Sequence, residues 1–333
     1  MIFSHKLPLI QNIMLKHSSV LRQPLLDTTE INECMLAGNH WNGNGLPWAL
    51  RGQLRDIQQG TSGDLTSQRH GNGIDFSEIR PYQTGDEPRY INWRATARAG
   101  RPMVRVFHED LTPQSYYLID RRASMRFGTR TRLKVTQAAR LAIFLASWEA
   151  QKGAELGSLI LNQTPQWHSP LSGPQGVYQL AQNVSRSCVP LPATLKQVAT
   201  LSMKRALSIL IEHIPLGSHV YLISDFYDLE DDILPELYQL GQQQCVWALG
   251  VYDAAEQKLP DAGKLQLMWG EDKIQGNCQL TNANDPVVQS QYQLAFMKKQ
   301  LHIKSIFEKA GINFNVISSV ENDLSTALMG AVL

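Results

Sequence analysis

The chain has 333 residues, of which 43% are hydrophobic and 18% charged, with a formal net charge of +1. This suits one large core with a smaller appended domain, and the near-neutral balance gives no whole-chain basis for binding nucleic acid or an anionic membrane. No apolar run approaches the ~18 residues that span a bilayer, and Cys34, Cys188, Cys245 and Cys278 lie far apart without a C-x-x-C pair, so the reading is a cytoplasmic protein with reduced, buried cysteines.

The predicted elements fall into three stretches. Residues 1–37 mix His5, Lys6, Lys16 and His17 among hydrophobics without clear periodicity and predict a loosely attached N-terminal arm rather than a leader segment. Residues 38–113 are rich in Gly, Arg and Trp, with isolated strand-like pieces such as 103–107. From 114 to 333, strands alternate with helices. The run opens with a strand at 116–120, a helix at 132–151, and a strand pair at 156–161 and 165–168. Helices at 174–184 and 197–213, a strand at 220–225, a helix at 231–241 and a strand at 245–251 follow. A long helix at 285–310, a strand at 314–318 and a short helix from Asn322 complete it. This alternation predicts an α/β fold, a doubly wound, mostly parallel sheet, beside a smaller N-terminal irregular or β region. The helix at 132–151 is apolar on most of its circumference and is predicted to be buried. The helix at 285–310 carries a narrower stripe through Leu294, Met297 and Leu301 to Ile306 and Ala310, with Gly311 as its stop.

Two aspartates close apolar strands just before polar turns: Asp120 after Tyr116-Tyr117-Leu118-Ile119, and Asp225 after Val220-Tyr221-Leu222-Ile223-Ser224. In an open parallel sheet the carboxyl ends of the strands border the ligand crevice, and acids meeting there can hold a cation or hydrogen-bond a ligand. Helix capping is the plainer role for either residue alone. Beyond the first strand, Arg121, Arg122, Arg126, Arg130, Arg132 and Lys134 form a basic run without an acid. It predicts a positive rim at the crevice mouth that steers an acidic partner surface, with Arg122, Arg126 and Arg130 as the interaction edge.

Residues 73–98 contain Phe76, Glu78, Arg80, Tyr82, Gly85, Asp86, Arg89, Trp93, Arg94 and Arg98 in the pattern F-x-E-x-R-x-Y-x-x-G-D-x-x-R-x-I-x-W-R-x-x-A-R. This resembles the signature of the bacterial "domain of unknown function 58" family. The resemblance implies a von Willebrand factor type A-like domain downstream and extends from about residue 46 to the C-terminus. It also implies a working partner, an AAA+ ATPase of the MoxR type. Within the signature, the arginines with Glu78, Asp86 and Glu87 predict Arg-carboxylate pairs that, with Tyr82 and Trp93, order an aliphatic-poor region. Stacking of single-stranded nucleic acid on Tyr82 and Trp93 is disfavoured by the interleaved acids.

The type A resemblance makes Asp120 the head of a metal-ion-dependent adhesion motif, D-x-S-x-S, whose oxygens hold Mg²⁺ or Mn²⁺. Here Arg122 stands at the first serine, Ser124 keeps the second, Asp225 matches the late aspartate, and Thr200 and Ser202 compete for the threonine. A guanidinium about 4 Å from a cation costs roughly 4 kcal/mol per unit charge at an effective dielectric near 20. Turned inward, Arg122 pairs with Asp120 and Asp225 and replaces the metal; turned outward, it leaves a partial site on Asp120, Ser124 and Asp225 that holds Mg²⁺ or Mn²⁺ weakly. The metal-free arrangement is favoured.

No phosphate-binding loop, H-E-x-x-H or G-x-S-x-G occurs, and His108-Glu109-Asp110 lacks a second histidine at ligand spacing. The reading is a protein-interaction adaptor working with the ATPase in remodelling or maturing a client protein. The alternative is a divalent-metal-dependent hydrolase of phosphate esters at the same crevice. The domains are read as 1–37, 38–113 and 114–333.

Overall fold

The computed structural model describes residues 9–10, 24–43, 70–83, 88–108, 112–162, 164–188, 201–260, 263–269 and 277–330. In chain order the elements begin with β1 (Leu9–Ile10), α1 (Thr28–His40), β2 (His70–Pro81), α2 (Trp93–Ala99) and β3 (Met103–His108). Next come β4 (Gln114–Asp120), α3 (Lys134–Gln151), β5 (Glu155–Leu161), β6 (Pro165–Ser172), α4 (Gly173–Ser185), α5 (Met203–His213) and β7 (His219–Ser224). The chain continues through α6 (Leu234–Gln243), β8 (Cys245–Tyr252), α7 (Ala254–Gln257), β9 (Lys264–Trp269), β10 (Asn277–Asn282), α8 (Pro286–Lys309), β11 (Asn313–Ser318) and α9 (Leu324–Gly330). Two compact units result, residues 52–112 and the remainder of the chain. None of the helices among the described residues is long and apolar enough to cross a membrane.

The main sheet has six strands in the order β11-β8-β7-β4-β5-β6. All neighbours pair in parallel except β6, which runs antiparallel to β5. Counted from β4, this is the doubly wound order 3-2-1-4-5-6 with its third strand reversed, and the switch point lies between β4 and β7. The α/β expectation is met. Strand periodicity divides the core. Tyr117, Ile119, Tyr221, Ile223, Trp247 and Leu249 face one cluster with side chains of α1, α3, α4 and α9, while Tyr116, Leu118, Val220, Leu222, Val246 and Ala248 face the other with α5, α6 and α8. In α3, every residue from Lys134 to Glu149 except Arg140 is buried, as its all-round apolar pattern predicts.

On α8 the pattern reading is corrected. Leu294, Met297 and Leu301 are exposed, whereas Tyr292, Phe296, Ile303, Ile306 and Phe307 are buried. The aromatic and β-branched positions set the buried face, and Ile306 and Ala310 belong to that face rather than to the Leu294 stripe.

The unit of residues 52–112 pairs β2 with β3 antiparallel, and α2 begins at the Asn92 cap and ends at Gly100 in the left-handed region. Trp93 is 72% exposed and Tyr82 is exposed as well, so neither is a buried anchor. The Arg89 guanidinium lies over the Tyr90 ring at 4.8 Å, and Arg80 donates to the Pro81 carbonyl. The side chains of Phe76 and Glu78, and Gly85, Asp86, Glu87 and the His108-Glu109-Asp110 side chains, lie outside the described residues.

Residues 28–40 depart from the predicted arm. Asp27 and Glu30 form a capping box, in which the Glu30 N–H donates to Asp27 Oδ1 at 2.8 Å and the Asp27 N–H to Glu30 Oε2 at 3.2 Å. The helix they start packs on α3, burying Cys34 and Gly38, and the Trp41 ring meets Phe144 and Trp148 with centroids 5.2 Å away in each case. The weak periodicity of the segment hid this, because close approach through a glycine replaces a wide apolar stripe. A Cβ on Gly38 would stand 2.2 Å from the Phe144 carbonyl oxygen. Gly38→Ala is therefore expected to destabilise the protein by about 1–3 kcal/mol, the range for overpacking a tight contact, read as a lowered urea midpoint; an unchanged midpoint would detach α1 from the core.

Candidate functional site

The carboxyl ends of β4 and β7 bring Asp120, Ser224 and Asp225 together at the switch point. Asp120 has no exposed surface. Its Oδ1 accepts from the Arg122 N–H at 2.9 Å and Nε at 3.1 Å, and its Oδ2 from Arg122 Nη2 at 2.8 Å and the Ser224 hydroxyl at 2.7 Å. Arg122 thus points inward, as one of the two sequence alternatives has it, but its second partner is Asp228 rather than Asp225. Nη1 and Nη2 both donate to that carboxylate, Nη2 at 2.8 Å. This is the bidentate pairing for which a planar guanidinium is suited. Burial pushes the Asp120 carboxyl upward while Arg122 holds it back, and the two acids hold the Arg122 proton more tightly than usual against the penalty of its burial.

Asp225 answers to a second internal cation. Lys134, the first residue of α3 and fully buried, donates to Asp225 Oδ2 at 2.8 Å and to Glu256 Oε1 at 2.6 Å. Burial opposes the charge on Lys134, and the two acids outweigh it and raise its affinity for the proton. Burial likewise works against ionisation of Asp225, but Lys134, Lys299 and Arg122 carry its carboxyl below the usual range. Ser124 donates to Asp225 Oδ1 at 3.3 Å, which joins two of the predicted trio, while Asp120 is bonded to Arg122 and Ser224 instead.

The turn after β7 presents this second acid in an uncommon backbone state. Phe226 has φ of +49°, a left-handed conformation costly for a bulky side chain. Its N–H donates to Ser224 Oγ at 3.0 Å, and the Tyr227 N–H to Asp225 Oδ1 at 3.1 Å. From α8, Lys299 donates to the Tyr227 carbonyl at 3.0 Å and lies 3.9 Å from the Tyr227 ring centroid. A further buried acid, Asp253, ties the adjoining loops together. It accepts from the Thr129 N–H and hydroxyl and from Ser319 Oγ, and it caps α7.

The predicted positive rim is not formed. Arg121, Arg122, Arg126 and Lys134 are buried, and of the predicted edge only Arg130 is exposed. Arg121 donates to the Asn183 and Arg186 carbonyls at the end of α4, Arg126 to the Arg121 carbonyl and Asn162 Oδ1, and Arg132 to the Glu321 carbonyl. These guanidiniums supply donors to backbone carbonyls that the loops leave unpaired, a demand that a one-dimensional charge count does not reveal. Of the two candidates for the late hydroxyl, Ser202 caps α5 through the Arg205 N–H, and Thr200 lies outside the described residues.

The side chains present do not fit the divalent ion of an adhesion site. A hard cation needs six or more oxygen ligands, whereas the carboxylates of Asp120, Asp225, Asp228 and Glu256 are already shared out between a guanidinium and an ammonium. No group of three or more His, Cys, Asp or Glu placed to hold a metal occurs among the described residues. For the same reason no carboxylate in the cluster is free to act as a general base.

Residues 78–301 match the family model described as "Protein of unknown function DUF58". The chain belongs to this family. Uncharacterized proteins of Mycobacterium tuberculosis and Mycobacterium bovis are each 27% identical to it over 217 residues, covering 64% of this chain and 65% of theirs; the chain thus spans just under two thirds of the length of these relatives. Among solved structures, the conserved hypothetical protein BatB from Bacteroides thetaiotaomicron is similar with a TM-score of 0.41 at 14% identity, over 66% of this chain and 97% of that one. A von Willebrand factor type A protein from Catenulispora acidiphila gives 0.35 at 12% identity, over 68% and 42%. The architecture of this DUF58 chain is itself a mostly parallel six-stranded sheet with helices on both faces.

Two measurements probe the cluster. Lys134→Met leaves Asp225 and Glu256 without their ammonium and is expected to cost about 3–5 kcal/mol, as when one partner of a buried pair is removed. Adding Glu256→Gln should recover part of that loss in urea titrations, and strict additivity would count against a shared cation. Lys299 supplies the pH test. Burial, opposed by Asp225 and Glu256, lowers its pKa from 10.5 to about 8. Between these values the unfolded chain binds more protons than the folded one, so stability rises with pH through that window and the penalty is fully present below pH 8. Relative to Lys299→Met, the wild type should gain on the order of 1–3 kcal/mol from pH 8 to 10.5; parallel stability curves would reject the shift.

Proposed function

We propose that this DUF58 protein is an interaction adaptor that uses the rim of the β4/β7 crevice to engage an AAA+ ATPase of the MoxR type, in remodelling or maturing a client protein. The observation that carries this reading is the internal sharing of all four crevice acids between Arg122 and Lys134. Groups engaged in this way are poor at turning over a substrate and good at holding loops in one shape. Around them, Ala123, Ser124, Tyr227, Asp228 and Lys299 are partly exposed, a mixed polar and aromatic rim of the kind that recognises protein surfaces. Nothing in the cluster favours the phosphate-ester hydrolase, which needs those acids for a metal.

The test is binding of the purified MoxR-type ATPase from the same organism, followed by fluorescence anisotropy with ATP and with ADP. Wild-type protein should bind in a nucleotide-dependent manner. Ala123→Arg, which intrudes on the rim without touching an ion pair, should weaken binding about tenfold or more, equivalent to ~1.4 kcal/mol. Absence of binding would overturn the partner, and equal binding by the variant would overturn the crevice as its docking edge.

A further inference from the structure

The ions that neutralise the crevice are part of the chain. Asp120 is wholly buried at the end of the central strand, where an ionised carboxylate needs a counter-charge. Arg122 provides it two residues later and, through Nη1 and Nη2, reaches Asp228, 106 residues further along. A cation that bridges the end of β4 to the turn after β7 performs the mechanical task that a divalent ion performs when loops donate oxygens to it from several directions.

We propose that Arg122 is a resident cation that substitutes for a divalent metal at the head of this crevice, fixing the β4 end against the 225–228 turn at any divalent-ion concentration. The guanidinium lies between the Asp120 and Asp228 carboxylates, with the hydroxyl of Ser224 on Asp120 and that of Ser124 on neighbouring Asp225. Apart from the guanidinium, this is a set of oxygen donors of the kind hard cations select. A latent divalent-cation site is thus one side chain away, and Arg122→Ser both removes the tethered charge and adds a hydroxyl. The substitution also closes the site to a partner's carboxylate. Four of the five guanidinium N–H donors are used on Asp120 and Asp228, leaving no open pair of donors like the vacant coordination position of a metal. This inference concerns the ion cluster and does not depend on which partner the rim engages.

The experiment titrates Mn²⁺ and Mg²⁺ into wild type, Arg122→Ser and Arg122→Ser/Asp120→Asn, following heat by calorimetry and the melting temperature with and without chelator. Wild type should show neither saturable heat nor a melting shift at millimolar metal. Arg122→Ser should melt several degrees lower in chelator, bind Mn²⁺ saturably and regain part of the lost melting temperature, and the double variant should lose that binding. Metal-dependent stabilisation of the wild type would overturn the resident-cation assignment. A folded Arg122→Ser that ignores Mn²⁺, or a double variant that binds it equally well, would overturn the latent site. If Arg122→Ser is recovered unfolded in chelator, refolding in Mn²⁺ decides: rescue supports the proposal and failure overturns it, while the wild-type titration stands independently.

Discussion

A carboxylate with no exposed surface has to find its counter-charge within the protein, and Asp120 is placed where that requirement shapes everything near it. Strand β4 is central, with β7 on one side and β5 on the other, and its last residue, Asp120, has no exposed surface. Arg122 meets the demand, and because a guanidinium has more donors than one carboxylate can take, it draws in Asp228 and with it the turn after β7. Lys134 repeats the arrangement, with Asp225 from the turn after β7 and Glu256 from α7. Each cation is shared by two acids, so neither pair can be exchanged for apolar residues without altering both segments that supply them.

The sheet was legible because its signals are local: apolar runs of strand length, helices between them, and an aspartate where β4 ends and just past the end of β7. The inward Arg122 was legible as one of two geometries, since D-x-R-x-S places a cation where hydroxyl is the alternative. Its partner was not, because Asp228 lies three residues beyond Asp225 on a turn whose path depends on Phe226 at positive φ. Glu256 and Asp253 were hidden for another reason. They form a capping box, and local pairing of that type explains both residues without any need for Lys134 or Thr129.

The basic run from Arg121 to Lys134 misled in an instructive manner. Six cations in fourteen residues suggest a solvated, steering surface, yet apart from the exposed Arg130 these cations donate to carbonyls, acids and the Asn162 side chain. Arg132 and Arg140 both reach the Glu321 carbonyl, and Arg140 also reaches that of Asn322, so the same chemistry fastens the segment after β11 to the start of α3. Burial of α3 on nearly all sides is what turns the arginines at its entrance into structural donors. The α1 helix escaped notice because its apolar stripe is narrow: Ile31, Cys34, Met35 and Gly38 recur at helical spacing, and Trp41 closes the contact just beyond the helix.

Phe226 shows how the turn keeps its shape. Its ring is buried, 4.9 Å from the Phe307 centroid and 5.8 Å from that of Phe314, edge-on to both. A glycine would relieve the backbone, which costs a bulky residue roughly 1–3 kcal/mol in this conformation, but it would leave an aromatic-sized void worth about 3–5 kcal/mol. Relaxation at this position is therefore uphill: the aromatic slot is a one-way catch, and the acids on either side of Phe226 inherit their fixed spacing from a ring held by two other rings.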